Sequence, residues 1–433
     1  MTDSATAIEH LHARRIWDSR GRPTLEVDVR LRGQAQGRGV APAGASRGSH
    51  EATDLRDGGL ALGGLDVQSA IAHVNGEIAR ALIGMDACDQ AAVDARLIEL
   101  DGTDNKSRLG GNATIAVSLG VLHAAADSQQ LPLWKYIANG APVRLPLPEV
   151  QIFGGGAHAG RRIDIQDLMV MPVGAGSFDE AMVMVAEVYR AAGDEMLRRG
   201  RRCGVADEGG WWPDFASNEE ALETLTSVID AAGYRHGEVL ISLDIAASEF
   251  GASGRYALGL DHKTYDTDGW LDVLDGWMAR YPILSVEDPV AEDDTAGMQR
   301  FTAAFGQRVQ VIGDDYLVSN ASRVARAAGE RACNAVLLKP NQAGTVTETL
   351  QAWCIARDNG MAGIVSARSG ETEDVAIVHL AVGWNTGQLK VGSFARSERM
   401  AKWNEALRIE ERLGRAAPFA GRSGLPVGLR DAG

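Results

Sequence analysis

Three carboxylates each close a short apolar run in the second half of the sequence. Asp244 ends "VLISLD", Glu287 ends "ILSVE" and Asp314 ends "VQVIGD". Carboxylates that share one place repel each other unless a cation lies among them, and hard oxygen ligands select Mg²⁺ or Mn²⁺. The pattern therefore predicts a magnesium site made of these three side chains. The alternative is that each acid caps a helix or forms a surface salt bridge.

Two lysines end apolar runs in the same half of the chain. Lys339 ends "AVLLK", and Lys390 lies in "GQLKVG". Two ammonium groups that face one metal site lower each other's pKa, which favours a neutral lysine base near neutral pH. The alternative is that both side chains extend to solvent from the strand ends.

Glu208 lies in a turn that contains glycine and tryptophan, "VADEGGWWP". Gly209 and Gly210 allow the backbone to bend sharply. Trp211 and Trp212 supply apolar neighbours, which raise the pKa of a carboxyl group and suit it to act as a general acid. The alternative is a flexible turn whose acids are solvated.

Three further polar residues fit a site that binds an anion. Arg368 and Ser369 lie in "SARSG", where a planar guanidinium and a hydroxyl would bind a phosphate. His158 lies in the glycine-rich "FGGGAHAG", which allows close approach to a ligand. The alternatives are that Arg368 pairs with Glu371 or Glu373 and that His158 is structural or exposed to solvent.

The elements that must position these residues repeat along the chain. From about residue 141, short apolar runs such as "DLMVMPV" and "NAVLLKP" alternate with amphipathic helical stretches. The alternation predicts parallel βα units, and six or more of them suit a closed α/β barrel whose strand ends share one mouth. Residues 24–33 alternate with period two, and residues 66–128 favour helices. We therefore expect an N-terminal α+β domain over residues 1–140 and an α/β barrel domain over residues 141–433.

Composition argues against several classes of protein. The 433 residues carry a formal net charge of −15, which disfavours nucleic-acid binding because phosphates need a basic surface. No run approaches the roughly 18 apolar residues of a membrane span, and the N-terminus lacks a signal-like apolar segment. The four cysteines are scattered, as in reduced proteins. These features predict a cytoplasmic protein without nucleic-acid or membrane partners.

The chain resembles the enolase family over essentially its whole length. The resemblance rests on stretches that include "ARRIWDSRGRPTLEVDV", "GASRGSHEATDLRDG", "SVEDPVAEDD" and "RSGETED" in the family order. It implies a C-terminal (βα)8-type barrel with one atypical hairpin and an N-terminal α+β capping domain. It also implies Mg²⁺, a small anionic substrate with carboxylate and phosphate groups, and a homodimer or a higher oligomer of dimers. The default reaction is that of a lyase that converts 2-phosphoglycerate to phosphoenolpyruvate by removing a proton alpha to a carboxylate.

The resemblance assigns roles to the metal-binding and catalytic candidates. Asp244, Glu287 and Asp314 match the three ligands of the family's structural metal ion. Lys339 matches the base that takes the proton alpha to the carboxylate. Glu208 matches the acid that helps hydroxide to leave. The general electrostatic logic of enolase-superfamily sites, a lysine or histidine base beside Mg²⁺, is well established.

The resemblance also assigns the residues that would contact the substrate. Lys390 matches the lysine that binds the substrate carboxylate, and Arg368 and Ser369 match phosphate contacts. His158 matches the loop histidine that closes over the substrate. Asp167, in "IQDLM", stands where the family has a longer catalytic acid, so the resemblance assigns it a catalytic role with a shortened side chain.

Several positions around the same pocket depart from the family pattern. Ala367 replaces the histidine of the usual Ser-His-Arg-Ser-Gly, and Ala43 replaces the serine that binds a second, catalytic metal ion. Arg47 replaces a threonine, and Gln151 and Gly154 replace two asparagines. These changes cluster at one pocket, while the predicted base, acid and metal ligands are retained, which favours a change in the shape of the substrate site.

Three functions remain open from the sequence. The default is the ordinary dehydration of 2-phosphoglycerate. The second is a specialised paralogue that forms an enolpyruvyl phosphate or phosphonate analogue, such as carboxyphosphonoenolpyruvate, in natural-product biosynthesis. The third is a non-catalytic scaffold protein on the same fold, against which the retained Lys339, Lys390 and Glu208 argue.

Overall fold

Residues 8–40 form a small antiparallel sheet in the computed structural model, which describes residues 4–234, 237–414 and 417–430. Leu25 and Val27, which belong to the alternating apolar face expected from the sequence, are fully buried. The second strand pairs with both of its neighbours. The strands, in spatial order, are β1 (Ile8–Trp17), β2 (Pro23–Leu31) and β3 (Gln36–Val40).

A group of helices covers this sheet. The longest of them, α4, contacts both β2 and β3 and is buried on nearly all sides. A Cβ atom at Gly39 would lie 2.2 Å from the carbonyl oxygen of Ala116, so the close packing of α4 on β3 requires glycine there. The helices are α1 (Gln68–His73), α2 (Ala79–Leu82), α3 (Gln90–Asp101), α4 (Gly111–Ser128) and α5 (Leu133–Ala138).

A closed barrel follows, as the alternating pattern predicted, and its strand order within the described residues is β10-β11-β12-β13-β14-β4-β5-β6. Three short strands, β7 to β9, form a separate antiparallel sheet. The strands are β4 (Leu147–Gly154), β5 (Asp167–Met171), β6 (Leu240–Asp244), β7 (Gly251–Ala252), β8 (Arg255–Leu258), β9 (Lys263–Asp266), β10 (Ile283–Glu287), β11 (Gln310–Gly313), β12 (Ala335–Leu338), β13 (Ala362–Ser366) and β14 (Gly387–Ser393).

After β5, helices separate each barrel strand from the next one along the chain. None of the helices in the described part of the chain is long and apolar enough to cross a membrane. The boundary between residues 140 and 141 stays a prediction. The helices are α6 (Phe178–Arg198), α7 (Asn218–Ala231), α8 (Thr267–Arg280), α9 (Thr295–Phe305), α10 (Ala321–Glu330), α11 (Pro340–Ala343), α12 (Val346–Asp358), α13 (Ala376–Gly383) and α14 (Ser397–Leu413).

One barrel strand runs against the others. β5 is antiparallel to both β4 and β6, whereas the other neighbours in the barrel are parallel. The first residue of β5, Asp167, therefore pairs with the last residue of β6, Asp244. Unlike Asp244 and Glu287, which end their strands, Asp167 begins its strand. It reaches the barrel mouth because that strand is reversed.

The barrel interior contains a buried polar layer below the mouth. Glu149 is fully buried and accepts a hydrogen bond from the Ser242 hydroxyl at 3.0 Å. Gln310 donates to Ser285 at 3.1 Å and to Gln388 at 3.0 Å. Burial raises the pKa of Glu149 to about 7, although the positive charge of Lys390 opposes this rise. A carboxyl group held here makes folding sensitive to pH.

We expect a Glu149→Gln variant to gain stability over the wild-type protein as the pH rises. The folded-state pKa of Glu149, about 7, lies above that of an unfolded glutamate, about 4.3. The folded protein therefore binds more protons between these values, and its stability falls as the pH rises through them. Between pH 5 and pH 8 the difference in unfolding free energy should grow by about 2 kcal/mol in favour of the variant. Urea unfolding at several pH values measures it, and a constant difference would contradict the assignment.

Candidate active site

The barrel mouth contains a small cavity. Most of the side chains predicted from the sequence line it. The remaining two, Glu287 and Asp314, contact the lysines in its wall. The structure therefore brings the predicted residues to one place. The predicted residues that line the cavity are His158, Asp167, Glu208, Asp244, Lys339, Arg368, Ser369 and Lys390.

Lys390, on β14, lies among acids from three other strands. Its Nζ atom is 2.8 Å from Glu287 Oε2 and 2.9 Å from Asp244 Oδ2, and it is 3.5 Å from Asp167 Oδ2. Burial alone would lower the pKa of Lys390, but the charges of Asp244 and Glu287 raise it well above its usual value. Lys390 is therefore an ammonium group that neutralises part of the acid cluster, and it does not extend to solvent.

Lys339, directly after β12, forms the second buried pair. Its Nζ atom lies 2.5 Å from Asp314 Oδ2, and its backbone N–H donates to the Ser319 hydroxyl at 2.8 Å. Burial lowers the pKa of Lys339, but Asp314 outweighs this effect and raises it. The two lysines were expected to lower each other's pKa, but the rise in the pKa of Lys339 caused by Asp314 is larger. Lys339 would become a neutral base once Asp314 is engaged elsewhere.

The acids have too little positive charge around them to satisfy every oxygen. Glu287 Oε1 is buried and has no hydrogen-bond partner among the described residues. Burial and the neighbouring charge of Asp244 raise the pKa of Glu287 well above its usual value. An unsatisfied buried carboxylate oxygen beside two other acids is what a divalent cation with oxygen ligands requires. The residues present therefore fit Mg²⁺.

The carboxylates that already lie close together include two that the sequence analysis did not select. Within the described residues, Asp288, Asp314 and Asp315 place ligand oxygens within 4.8 Å of one another, whereas Asp244 and Glu287 share the Lys390 ammonium. Asp288 also accepts hydrogen bonds from the backbone N–H groups of Asp314 and Asp315, at 2.9 Å and 2.7 Å. Asp288 thus joins the end of β10 to the end of β11. Asp288 and Asp315 could have been found in the sequence, because each directly follows a predicted metal ligand in the pairs "ED" and "DD".

His158 and Asp167 form a hydrogen-bonded pair beside Glu208. His158 Nδ1 lies 2.9 Å from Asp167 Oδ1, and His158 Nε2 lies 3.7 Å from Glu208 Oε1. Burial alone would lower the pKa of His158, but the charges of Asp167 and Glu208 raise it to about 9. The ring is therefore an imidazolium at neutral pH, buried rather than exposed to solvent, and it is suited to hold an anion. Its ligand atoms and those of the two acids also lie within 4.8 Å of one another.

Arg368 pairs with an acid that the sequence analysis did not single out. Its guanidinium donates to both Glu51 oxygens, at 2.8 Å and 3.2 Å, and to the Ser46 carbonyl at 3.0 Å. Glu371 instead accepts the backbone N–H of Arg368 at 2.9 Å. The loop that carries Ser46 and Glu51 is thereby fastened to the mouth. A Cβ atom at Gly44 would lie 1.9 Å from the guanidinium, so glycine is required there.

Ser369 and Ala367 complete this wall of the cavity. The Ser369 hydroxyl accepts a hydrogen bond from the backbone N–H of Ala45 at 2.9 Å. Ala367 is 6% exposed and presents only a methyl group. Its backbone N–H donates to the Lys390 carbonyl at 2.9 Å. The wall thus joins the loop after β13 to both the N-terminal loop and β14.

A buried arginine holds the backbone of this wall from behind. Arg399, on α14, is fully buried and donates to the carbonyl oxygens of Arg368 at 2.7 Å and Val391 at 2.8 Å. It also donates to the Ser369 carbonyl at 2.5 Å. Sequence reasoning did not find Arg399, because a charged residue on an amphipathic helix is normally exposed. Its role is visible only from the three carbonyl groups that converge on it.

We expect Arg399→Met to lower the free energy of unfolding by about 3 kcal/mol, because three buried carbonyl groups lose a charged donor. Arg408→Met is the matched control, since Arg408 lies on the same helix and its side chain is 57% exposed. The control should change the free energy by less than about 0.5 kcal/mol. Urea unfolding of both variants measures the difference, and equal effects would show that the carbonyl contacts of Arg399 contribute little.

Comparison with known proteins identifies the family of the chain. The family model "Enolase, N-terminal domain" matches residues 8–137, and "Enolase, C-terminal TIM barrel domain" matches residues 142–426. The chain is also 48% identical over 416 residues to "Enolase 1" of Desulfitobacterium hafniense (strain Y51), covering 95% of each protein. These matches and the lysine–carboxylate cavity lead to one conclusion. The chain is a lyase that belongs to the enolase family.

Proposed function

We propose that the protein converts 2-phosphoglycerate to phosphoenolpyruvate. The observation that carries this proposal is a single cavity whose wall contains Lys339, Glu208 and Lys390. A lysine base and a carboxyl acid in the same cavity suit the removal of water across a carbon–carbon bond. The second lysine supplies positive charge where the intermediate becomes more negative.

In the first step, neutral Lys339 takes the proton from C2 of the substrate. The C2–H bond breaks, and its electron pair moves into the carboxylate, which gains negative charge. Lys390 stabilises that charge because its buried ammonium group lies in the cavity wall. Fixed charges of this kind need little reorganisation during the reaction.

In the second step, the C3 hydroxyl leaves as water. Glu208 donates a proton to the hydroxyl oxygen while the C3–O bond breaks and the C2–C3 double bond forms. His158, held by Asp167 at 2.9 Å, contributes a buried positive charge beside Glu208. We assign the phosphate to the side of the cavity that contains His158, Arg368 and Ser369, because those side chains supply the donors an anion needs.

The acidic strand ends would hold the metal ion. Asp244, Glu287 and Asp314 are the proposed ligands, supported by the unsatisfied Glu287 oxygen. A bound Mg²⁺ supplies positive charge that stabilises the doubly negative carboxylate. Its binding to Asp314 would also remove the partner that now raises the pKa of Lys339.

A steady-state assay of the purified protein tests the proposed function. With 2-phosphoglycerate and Mg²⁺ we expect formation of phosphoenolpyruvate, followed by its ultraviolet absorbance. Removal of divalent cations with a chelator should abolish turnover, and added Mg²⁺ should restore it. Lack of turnover in the Mg²⁺-loaded protein would reject 2-phosphoglycerate as the substrate.

A larger anionic headgroup is the second candidate, because Ala367 leaves the cavity wall beside Arg368 and Ser369 with only a methyl group. An enolpyruvyl analogue that carries an extra carboxylate or phosphonate group next to its phosphorus atom would place that group beside Ala367. Competition between 2-phosphoglycerate and a carboxylated phosphonate analogue distinguishes the two candidates. Tighter binding of the analogue and poor turnover of 2-phosphoglycerate would favour the second.

We also propose that the protein assembles as a homodimer or a higher oligomer of dimers. This proposal rests on its membership of the enolase family, to which both halves of the chain match. Light scattering coupled to size-exclusion chromatography measures the mass in solution. A monomer mass near 46.0 kDa would contradict it.

A further inference from the structure

One buried side chain in the barrel joins the two acids on the elimination side of the cavity. Gln151, on β4, is fully buried. Its Nε2 group donates to Asp167 Oδ1, the same oxygen that contacts His158. Its Oε1 atom accepts the backbone N–H of Gly210 at 2.8 Å. The carboxamide therefore connects Asp167 to the turn that carries Glu208.

That turn closes on itself and is fastened to β4. Ala206 N–H donates to the Gly210 carbonyl at 2.8 Å, and Gly209 N–H donates to the Ala206 carbonyl at 3.0 Å. Residues 206–210 thus form a compact ring with Glu208 at its tip. Trp211 N–H then donates to the Ile152 carbonyl at 2.8 Å, so the ring is attached to the strand that contains Gln151.

Two glycines make room for the carboxamide. A Cβ atom at Gly210 would lie 2.4 Å from Gln151 Oε1, and one at Gly154 would lie 3.1 Å from the same atom. A Cβ atom at Gly154 would also lie 2.6 Å from the Ala206 side chain. The long glutamine side chain therefore occupies the space beside position 154, and both glycines are needed for it to reach Asp167 and the turn.

We infer that Gln151 is a positioning residue for the elimination step. It fixes the Glu208 turn and the Asp167–His158 pair relative to each other, and it lies outside the lining of the cavity. Lys339 follows β12, which β13 and β14 separate from β4, and it has no hydrogen bond to Gln151 among the described residues. Loss of Gln151 should therefore slow departure of water more than removal of the C2 proton. This inference rests on the proposed function.

The experiment measures the two steps separately in one reaction. In D₂O, deuterium incorporation at C2 of unreacted 2-phosphoglycerate reports proton removal, and phosphoenolpyruvate formation reports the complete reaction. For Gln151→Met, which keeps the shape but loses both hydrogen bonds, we expect dehydration to fall about tenfold or more. At saturating substrate, exchange should change less than about threefold, so the ratio of exchange to dehydration rises.

The control is Gln388→Met, because Gln388 is equally buried in the barrel but bonds to Gln310 and the Gly424 carbonyl below the mouth. It should leave the ratio unchanged even if it destabilises the protein. Gly210→Ala is a second test variant, since its Cβ atom would displace the carboxamide without removing it. Gly210→Ala should also raise the ratio of exchange to dehydration. If Gln151→Met does not fold, the result for Gly210→Ala tests the positioning role of Gln151.

The possible results separate the two proposals. If the wild-type protein shows neither exchange nor dehydration, the proposed function fails. If the wild-type protein is active and both test variants keep its ratio, the positioning role of Gln151 is overturned and the proposed function stands. An equal rise of the ratio in Gln388→Met would also overturn the positioning role of Gln151, because a general loss of packing would then explain the result.

Discussion

Lys339→Ala should lose dehydration and C2 deuterium exchange together, each by about 10³-fold or more, since a positioned general base contributes on that scale. The reason is that no other lysine lies at the end of β12, where Asp314 and Ser319 fix the side chain and backbone of Lys339. Both rates are measured from the same D₂O reaction. The variant also leaves the buried Asp314 without its cation, so its unfolding should be measured in parallel.

Lys135→Ala is the control for this prediction, because Lys135 is exposed on α5 and away from the cavity. It should keep wild-type rates. A folded Lys339→Ala protein that retained exchange while losing dehydration would assign the base to another residue. One that retained both would remove Lys339 from the mechanism.

Glu287→Gln should have opposite effects on the metal-free and the magnesium-bound protein. Without metal, Glu287 is buried beside Asp244 with one unsatisfied oxygen, and Lys390 keeps Asp244 and Asp167 as counter-ions without it, so removal of its charge should leave stability equal or higher. With Mg²⁺ at 100 times the dissociation constant, the wild-type protein should gain about 2.7 kcal/mol, and the variant should lose most of that gain. Thermal unfolding with and without Mg²⁺ measures both effects, and turnover should fall with the loss of metal.

Glu223→Gln provides the comparison, since Glu223 is an exposed residue of α7. It should keep the full stabilisation by Mg²⁺. If Glu287→Gln kept it too, Glu287 would not be a ligand, and the group formed by Asp288, Asp314 and Asp315 would be the better candidate.

The sequence predicted the barrel because apolar runs and helical stretches alternate along the chain. In the structure, those apolar runs are strands of the closed barrel. It also predicted the cavity, because charges at the ends of parallel strands must meet at one mouth. This rule does not predict the position of Asp167 at the mouth, because Asp167 begins its strand. Its strand is reversed, and a single sequence carries no local signal for the direction of one strand within a closed barrel.

The remaining contacts depend on segments that are distant in sequence. Glu51 is 317 residues from Arg368, and spacing along a chain does not predict a pair of this kind. The pKa of Lys339 is raised rather than lowered for the same reason: Asp314, which lies at the end of another strand, contacts it. Arg399 shows that a helical charge can face inward when several carbonyl groups converge on it.

The two buried lysines give the acid cluster its own counter-ions. A divalent cation that enters must displace the ammonium groups of Lys339 and Lys390 from the carboxylates they now hold. Uptake of metal is then an ion exchange rather than the filling of a void, and its apparent affinity is lower than the carboxylates alone would give. The released Lys390 ammonium group is then free to hold an anionic substrate, and Lys339, without Asp314, is free to act as the base. Metal and substrate should therefore each strengthen the binding of the other, as reciprocal coupling requires.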